Sequence, residues 1–263
     1  TQSNTAFRGF GGPQGMLGIE RVVDVVAHDL GLDPLLVRQR NFYPPKTAAK
    51  FGVTPYGQDV EDCVIQPIVE ELLVSSGYFQ RRENIAAFNR ANRYQKRGIA
   101  LSPVKFGISF NTTFLNQAGS LIHVYNDGSV HLNHGGTEMG QGLNIKVAQI
   151  VAHEFQINVE SIKITATTTG KVPNTSATAA SSGTDLNGMA AIQAARTIKQ
   201  RIADFLAREY QTHIAEVRFV DGMVHIGAEA ITFAEAAKRA YLGRVSLSAT
   251  GFYATPKLNW DGA

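Results

Sequence analysis

Nine consecutive residues, His134, Gly135, Gly136, Thr137, Glu138, Met139, Gly140, Gln141 and Gly142, hold the densest chemistry in this 263-residue chain. Four glycines in nine positions cost order unless the backbone must turn sharply or approach a ligand closely. The spacing Gly135-x4-Gly140 opens a phosphate-cradling loop. Gln141 then stands where such a loop carries Lys, and Gly142 where it carries Ser or Thr. The stretch suits a polar or anionic ligand, but the ATP reading fails.

Two further loops of small residues share its context. One covers residues 8–15, with Arg8, Gly9, Phe10, Gly11, Gly12 and Pro13; the other covers 180–184, with Ala180, Ser181, Ser182, Gly183 and Thr184. Each precedes a helix pattern. Helix N-termini present unpaired N–H groups and a partial positive charge, which favour anions and polar oxygens. A single loop of this kind reads as a plain cap or connection. Three in one chain point to a shared ligand, although convergence is not readable from sequence.

Other chemistries fail on residue type. His153 and Glu154 open a zinc-protease pattern, but Ile157 occupies the second His position. His131 and His134, three apart at a strand end, make a weak ligand pair. Ser181 and Ser182 lie outside any G-x-S-x-G elbow. Cys63 sits in a helical pattern and reads as buried filler. With one cysteine the chain has no CxxC pair, no internal disulfide and no iron–sulfur signature of its own.

The elements that must position these residues follow from periodicity. A helix follows Pro13 and stops at Gly31, and a short second one covers about 34–41 before Pro44 and Pro45. Residues 44–60 read as an irregular connector. Two helical patterns then run to about Asn92, broken near Ser75, Ser76 and Gly77, the second amphipathic and strongly charged. From Arg97 the texture changes. Residues 99–101, 108–110 and 121–125 read as strands, and Asp127-Gly128 as a hairpin turn into 130–133. A helix over 143–155 and a strand over 162–165 follow. The longest helix spans about 186–210, with Asp185 as its expected N-cap. The tail holds a hairpin at Asp221-Gly222, a helix over 233–240 and a strand over 245–253. The fold class is α+β, with mixed sheets and packed helices. The boundaries divide the chain into 1–43, a helical linker 44–96, and 97–263.

Composition narrows the partners. At 44% hydrophobic and 18% charged residues the chain is globular, not disordered. A net charge of +3 with interspersed signs argues against a nucleic-acid surface. No apolar run approaches bilayer length, so no membrane span is expected. Sparse cysteine favours a reducing compartment, here the cytoplasm. The N-terminus lacks an initiator Met and a signal-peptide pattern, and reads as the middle of a longer polypeptide or as a processed or trimmed piece.

The loops together resemble those of the molybdenum hydroxylase family, in its xanthine dehydrogenase/oxidase branch. The resemblance rests on Asn4-Thr5-Ala6-Phe7-Arg8-Gly9-Phe10-Gly11-Gly12-Pro13-Gln14-Gly15-Met16, Lys105-Phe106-Gly107-Ile108-Ser109-Phe110 and Phe114-Leu115-Asn116-Gln117-Ala118-Gly119. It continues through 135–142, Val172-Pro173-Asn174-Thr175-Ser176, Thr178-Ala179-Ala180-Ser181, Asp185-Leu186-Asn187-Gly188 and 247–253. These stretches follow the family's order across nearly the whole chain. The resemblance implies parts of two molybdopterin-binding subdomains, the first ending near residue 43. It implies a molybdopterin cofactor with molybdenum, hydroxylation of a purine (hypoxanthine and xanthine to urate), and 2Fe-2S clusters and FAD held elsewhere in an oligomeric complex. By motif match Arg8, Gln141, Gly142, Ala180, Ser181 and Ser182 would hold the cofactor. Phe10 and Phe110 would sandwich a flat heterocycle, with Asn111 beside it. On residue type alone both phenylalanines read as core and Gln141 as a turn residue. No residue is expected to bind metal directly.

Two departures bear on these roles. Asn111 stands where the family carries Thr, so the reach to substrate differs. Gly183 stands where a second Ser is common. The family's catalytic Glu lies in a Gly-Glu-Pro-Pro-like motif, and this chain has no Gly-Glu pair. The resemblance places that base, and the substrate-binding Glu and Arg, on segments outside residues 1–263. No catalytic residue is therefore expected in this chain, and alone it is expected not to hydroxylate purines. Its alternatives are a non-catalytic scaffold of the same fold, or a hydroxylase of aldehydes or other N-heterocycles. Apolar faces that meet the missing segments are expected to favour self-association.

Overall fold

A computed structural model describes residues 9–45, 52–55, 57, 59–172, 174–256 and 258. The chain forms two compact units, Thr1–Phe106 and Gly107–Ala263.

In the first unit, α1 (Gly12–Asp29) follows three successive left-handed residues, Gly9, Phe10 and Gly11 at φ 88°, 50° and 87°. Pro13 occupies its first turn, where a missing N–H costs nothing. Leu32 donates its N–H to the Ala27 carbonyl (2.8 Å), closing the helix around Gly31 at φ 63°. Next, α2 (Pro34–Arg40) is capped by Asp33, whose Oδ1 accepts from the Leu35 N–H at 2.8 Å. Arg38, 4% exposed, joins the two helices: its guanidinium meets Glu20 at 2.6 Å and Asp24 at 2.9 Å. Those partners hold its pKa up against the burial that would lower it.

Within the expected connector, β1 (Gly52–Val53) pairs antiparallel with β2 (Asp59–Val60). Then come α3 (Ile65–Ser75) and α4 (Tyr78–Ala91), separated at Gly77 with φ 60°. On α4, Tyr78 is buried and Arg82, Ile85 and Phe88 are half-buried, the stripe of an amphipathic helix. Among the described residues the core of this unit is Leu35, Val69, Tyr78 and Leu101. Asp33 ties it together, since it caps α2, accepts from the Tyr78 hydroxyl (3.3 Å) and pairs with Arg82 (2.9 Å). On α1 only Ala27 is fully buried, while Leu17, Ile19, Val22, Val25 and Val26 are exposed.

The second unit is built on β3 (Gln117–Val124), β4 (Val130–His134), β5 (Ile162–Ile164) and β9 (Ser248–Ala254), in the order β5-β4-β3-β9. Only β4 and β5 run parallel, so a helix must cross between them. That helix is α5 (Leu143–Phe155), with the bounds its periodicity gives. A second, antiparallel sheet comprises β6 (Val217–Val220), β7 (Met223–Ile226) and β8 (Glu229–Thr232), and leads into α7 (Phe233–Leu242). The longest helix, α6 (Gly183–Glu209), lies against the four-stranded sheet. Its Ala190, Ala191, Ala194, Ala195, Ile198, Ile202 and Leu206 are fully buried.

Two strand expectations fail. Residues 99–101 and 108–110 carry no regular secondary structure. Ser109 takes φ 90°, outside the strand region, and hydrogen bonds from non-strand partners consume the Phe110 backbone. The mixed α+β class holds. Among the described residues no helix is long and apolar enough to cross a membrane.

Glycine at 251 lets β9 touch α6. A Cβ there would overlap the Ala190 carbonyl oxygen and lie 2.8 Å from the Ala194 nitrogen. Backbone cannot yield as a flexible side chain does. Gly251→Ala is expected to destabilise the second unit by about 1–3 kcal/mol in chemical denaturation. Separately, the exposed apolar face of α1 predicts that the isolated chain self-associates. A monodisperse monomer in light scattering would count against it.

Candidate functional site

Three segments of the second unit meet at one end of its sheet. They are 107–113, 134–142 and 174–183. The middle one begins where β4 ends, at His134, which is 2% exposed. His134 Nδ1 accepts from the Gly136 N–H at 3.1 Å, so the ring proton sits on Nε2, which has no partner among the described residues. Burial lowers the His134 pKa, and Asn144 and Glu138 only partly oppose this. The next two glycines exist for close packing. A Cβ on Gly135 would overlap the Thr175 side chain, and one on Gly136 would lie 2.5 Å from Leu143 and 2.8 Å from the Asn187 amide. Thr175 Oγ1 and Asn187 Oδ1 are likewise buried without partners.

The expected anion site at the start of α5 is already filled by the loop itself. The Glu138 carboxylate accepts from the N–H groups of Gly140 (2.9 Å), Gly142 (2.9 Å) and Asn144 (3.1 Å). Glycine at 140 and 142, at φ 86° and 75°, lets the backbone wrap around that carboxylate. These bonds, the one from Asn144 first, hold its pKa below the usual carboxylate range. Gln141 is half-buried and folded onto the same loop: Oε1 accepts from the Met139 N–H (2.5 Å), and Nε2 donates to the Thr137 carbonyl (2.9 Å). A primary amide has two donors and two lone pairs, so one of each remains for a ligand.

The third segment is strained. Asn174, Ala180 and Ser181 take φ 57°, 53° and 56°. A left-handed non-glycine residue costs roughly 1–2 kcal/mol. Strain of this kind concentrates at functional sites. Ser182, 1% exposed, donates its hydroxyl to the Ala179 carbonyl (3.0 Å) and so does not cap α6. Asp185 does not cap it either, because the helix begins two residues earlier at Gly183 and places Asp185 in its first turn. No described residue accepts from the N–H groups of Ala180, Ser181, Gly183, Thr184 or Asp185. Five unpartnered donors therefore crowd the start of a helix whose dipole favours negative charge.

Cross-bonds unite the segments. The Thr137 N–H donates to Thr178 Oγ1 at 2.8 Å, and the Ser109 N–H to the Ala180 carbonyl at 3.0 Å. Phe110 is half-buried and Asn111 exposed. Thus Phe110, Asn111, Gln141, Gly142, Ala180, Ser181 and Ser182 share one end of this unit. Phe10, in the first unit, is 84% exposed and so lies outside that unit's core. Arg8 lies outside the described residues, as do 4–7 and Pro173 of the matching stretches. Residue reasoning missed Glu138 and Asn116 as structural members of the site. An acidic residue shortly before a helix start was the available signal for Glu138.

A model described as a molybdopterin cofactor-binding domain matches residues 71–263, and a second model of that description matches residues 1–42. The chain belongs to the molybdopterin cofactor-binding domain family. It is similar to xanthine dehydrogenase from Calliphora vicina, at 46% identity over 98% of this chain and 17% of that protein. Xanthine dehydrogenase from Dictyostelium discoideum is 44% identical over the same shares. The chain thus spans about a sixth of the length of the curated relatives it matches. Among solved structures, CO dehydrogenase from Oligotropha carboxidovorans superposes with a TM-score of 0.79 at 23% identity, covering 94% of this chain and 33% of that one. Quinoline 2-oxidoreductase from Pseudomonas putida 86 gives 0.79 at 22%, covering 95% and 34%. These likenesses establish the fold.

Molybdopterin-family membership suits the donor set. A polar, anionic cofactor needs unpaired N–H donors, and those of Ala180, Ser181, Gly183, Thr184 and Asp185 have no acceptor among the described residues. Among the described residues no group of three His, Cys, Asp or Glu side chains could hold a metal ion.

The Glu138 brace has a testable consequence. Glu138→Ala is expected to speed amide exchange at Gly140, Gly142 and Asn144 about tenfold, with little change elsewhere in α5. Because the folded pKa is lowered, the brace is complete above the ordinary carboxylate range and lost as pH falls through the folded value. The wild-type amides are therefore expected to lose protection with acid, and the variant's to show no such step. Protection that is equal in both proteins would refute the brace.

Proposed function

We propose that this chain is the molybdopterin-holding part of a molybdenum-dependent purine hydroxylase of the xanthine dehydrogenase type. Such an enzyme converts hypoxanthine and xanthine to urate. The observation that carries the reading is the set of five backbone donors at 180–185 without acceptors among the described residues, beside the half-used amide of Gln141. The names of the relatives at 44–46% identity support the substrate class.

When bound, the cofactor supplies the molybdenum centre at which a carbon is hydroxylated. The chain's own residues bind and orient. Backbone N–H groups of Ala180, Ser181 and the first turn of α6 hold the cofactor's polar oxygens. Gln141 offers its free N–H and lone pair, with Gly142 beside it, and Arg8 adds charge from the first loop. Ser182 shapes the 180–185 turn by holding the Ala179 carbonyl. Phe10 and Phe110 present aromatic surface to a planar heterocycle, which orients it without charge. Asn111 offers an exposed amide to substituents on that ring.

On this reading residues 1–43 end the first molybdopterin-binding subdomain, 44–96 form a helical linker, and 97–263 make most of the second. The catalytic base, the 2Fe-2S clusters and FAD belong to other segments of an oligomeric cytoplasmic enzyme. A positioned base typically contributes about 10²–10⁴-fold, so this chain alone turns over no purine.

In the complete enzyme, Gln141→Ala and Phe110→Ala are each expected to lower kcat/KM for xanthine about tenfold or more. Turnover unchanged in both would sink the site assignment. Metal analysis decides between enzyme and scaffold, since native complex without molybdenum favours the scaffold. Wild-type turnover of aldehydes or other N-heterocycles in preference to xanthine would move the substrate class.

A further inference from the structure

We infer that Asn116 is the positioning residue that aims Phe110 at a planar substrate. The inference rests on the proposed stacking role of Phe110 and adds the residue that sets it.

Phe110 lies in a stretch without regular structure, so no strand ladder holds it. One side chain replaces the ladder. Asn116 Oδ1 accepts from the Phe110 N–H at 2.7 Å, and Asn116 Nδ2 donates to the Phe110 carbonyl at 2.8 Å. The same Nδ2 lies 3.2 Å from the Thr112 carbonyl and 3.3 Å from that of Thr113. Both backbone groups of Phe110 are thus paired by a single amide, as a neighbouring strand would pair them. The Asn116 amide is 2% exposed, so water does not compete for these bonds.

Asn116 is itself anchored to the sheet. It directly precedes β3, its N–H donates to the Thr113 carbonyl (3.0 Å), and its carbonyl accepts from the Thr255 N–H (3.0 Å) just beyond β9. On the other side, Ser109 at φ 90° donates its N–H to the Ala180 carbonyl at 3.0 Å. Phe110 is therefore held from two directions: by the sheet through Asn116, and by the 180–185 turn through Ser109. The direction of its Cα–Cβ bond follows from both.

The residue type is dictated. The position needs one acceptor and at least one donor on a short planar group. Asp has no donor when ionised, Ser has a single hydroxyl, and Gln is longer by one methylene in a space with no exposure. A Phe110 whose backbone is released still packs near the site but samples several directions. Stacking on a flat ring depends on that direction.

The test uses the complete enzyme and a double-mutant cycle. Equilibrium dialysis of urate, the proposed product, reads ring binding without turnover, and molybdenum content checks the site. Phe110→Ala and Asn116→Ala are each expected to weaken urate binding about threefold to tenfold, with molybdenum content unchanged. Adding Asn116→Ala to Phe110→Ala is expected to cost less than about a further twofold, because the two act as one unit. If Asn116→Ala does not accumulate as folded enzyme, Asn116→Ser, which keeps one hydroxyl, carries the same cycle. Additive losses in the double variant overturn the inference, since a general loosening does not depend on Phe110. So does weakened binding in Phe110→Ala with none in the Asn116 variant. Unchanged binding in Phe110→Ala itself removes the stacking role, and the inference falls with it.

Discussion

The close approach of α6 to the four-stranded sheet is the constraint on which the second unit depends. A helix this long, 27 residues, buries its stripe only if its backbone reaches the strands. Alanine at 190, 191, 194 and 195 removes bulk from the helix, and glycine at 251 removes it from β9. Once that seam closes, the position of Gly183 is set, and with it the turn at 180–182. The strain at Ala180 and Ser181 is then borne by a rigid body. A loosely docked helix would instead relax its first turn and pair its free N–H groups with nearby carbonyls.

Two helix starts in this unit solve the same problem in opposite ways. At α5 the orphan donors are satisfied internally by Glu138, across glycines that allow the wrap. At α6 no described side chain serves the equivalent donors. Ser182 is of the right residue type to cap, but its hydroxyl goes to Ala179. The first loop thus has a fixed shape, and the second keeps donors without acceptors among the described residues. On the proposed reading, a cofactor held at the second would meet a Gln141 already oriented by its bonds to the Met139 N–H and the Thr137 carbonyl.

Sequence periodicity carried most of the fold. The bounds of α5, the break at Gly77 and the hairpins at Asp127-Gly128 and Asp221-Gly222 were all legible, because amphipathic spacing and turn chemistry act within a few residues. The apolar runs at 99–101 and 108–110 misled for the same reason: local pattern does not record that Asn116 and Ala180 compete for the 108–110 backbone. Asp185 is a good capping residue by type, yet the helix extends past it, since tertiary packing of Leu186 and Ala190 sets the register. The small-residue loops were legible as candidate sites. What sequence could not separate was glycine needed for packing, at 135 and 136, from glycine needed for positive φ, at 140 and 142.

That separation bears on how the loop at 134–142 works. Its first half is a packing joint. Gly135 and Gly136 press the chain against Thr175, Leu143 and Asn187, which locks the loop to the third segment and to the starts of both helices. Its second half is an electrostatic wrap around Glu138. His134 lies beneath both, buried and neutral, with its Nδ1 fixing Gly136. Protonating that nitrogen would remove the acceptor and bury a charge. Its folded pKa is depressed below the ordinary value near 6.5. Stability from this joint is therefore complete above that value and declines as pH falls below it, when the unfolded chain takes up a proton that the fold refuses. Acid thus acts on the loop in two places: at the packing joint through His134, and at the wrap through Glu138. Gln141 belongs to the second half, where its Oε1 accepts from the Met139 N–H and its Nε2 donates to the Thr137 carbonyl.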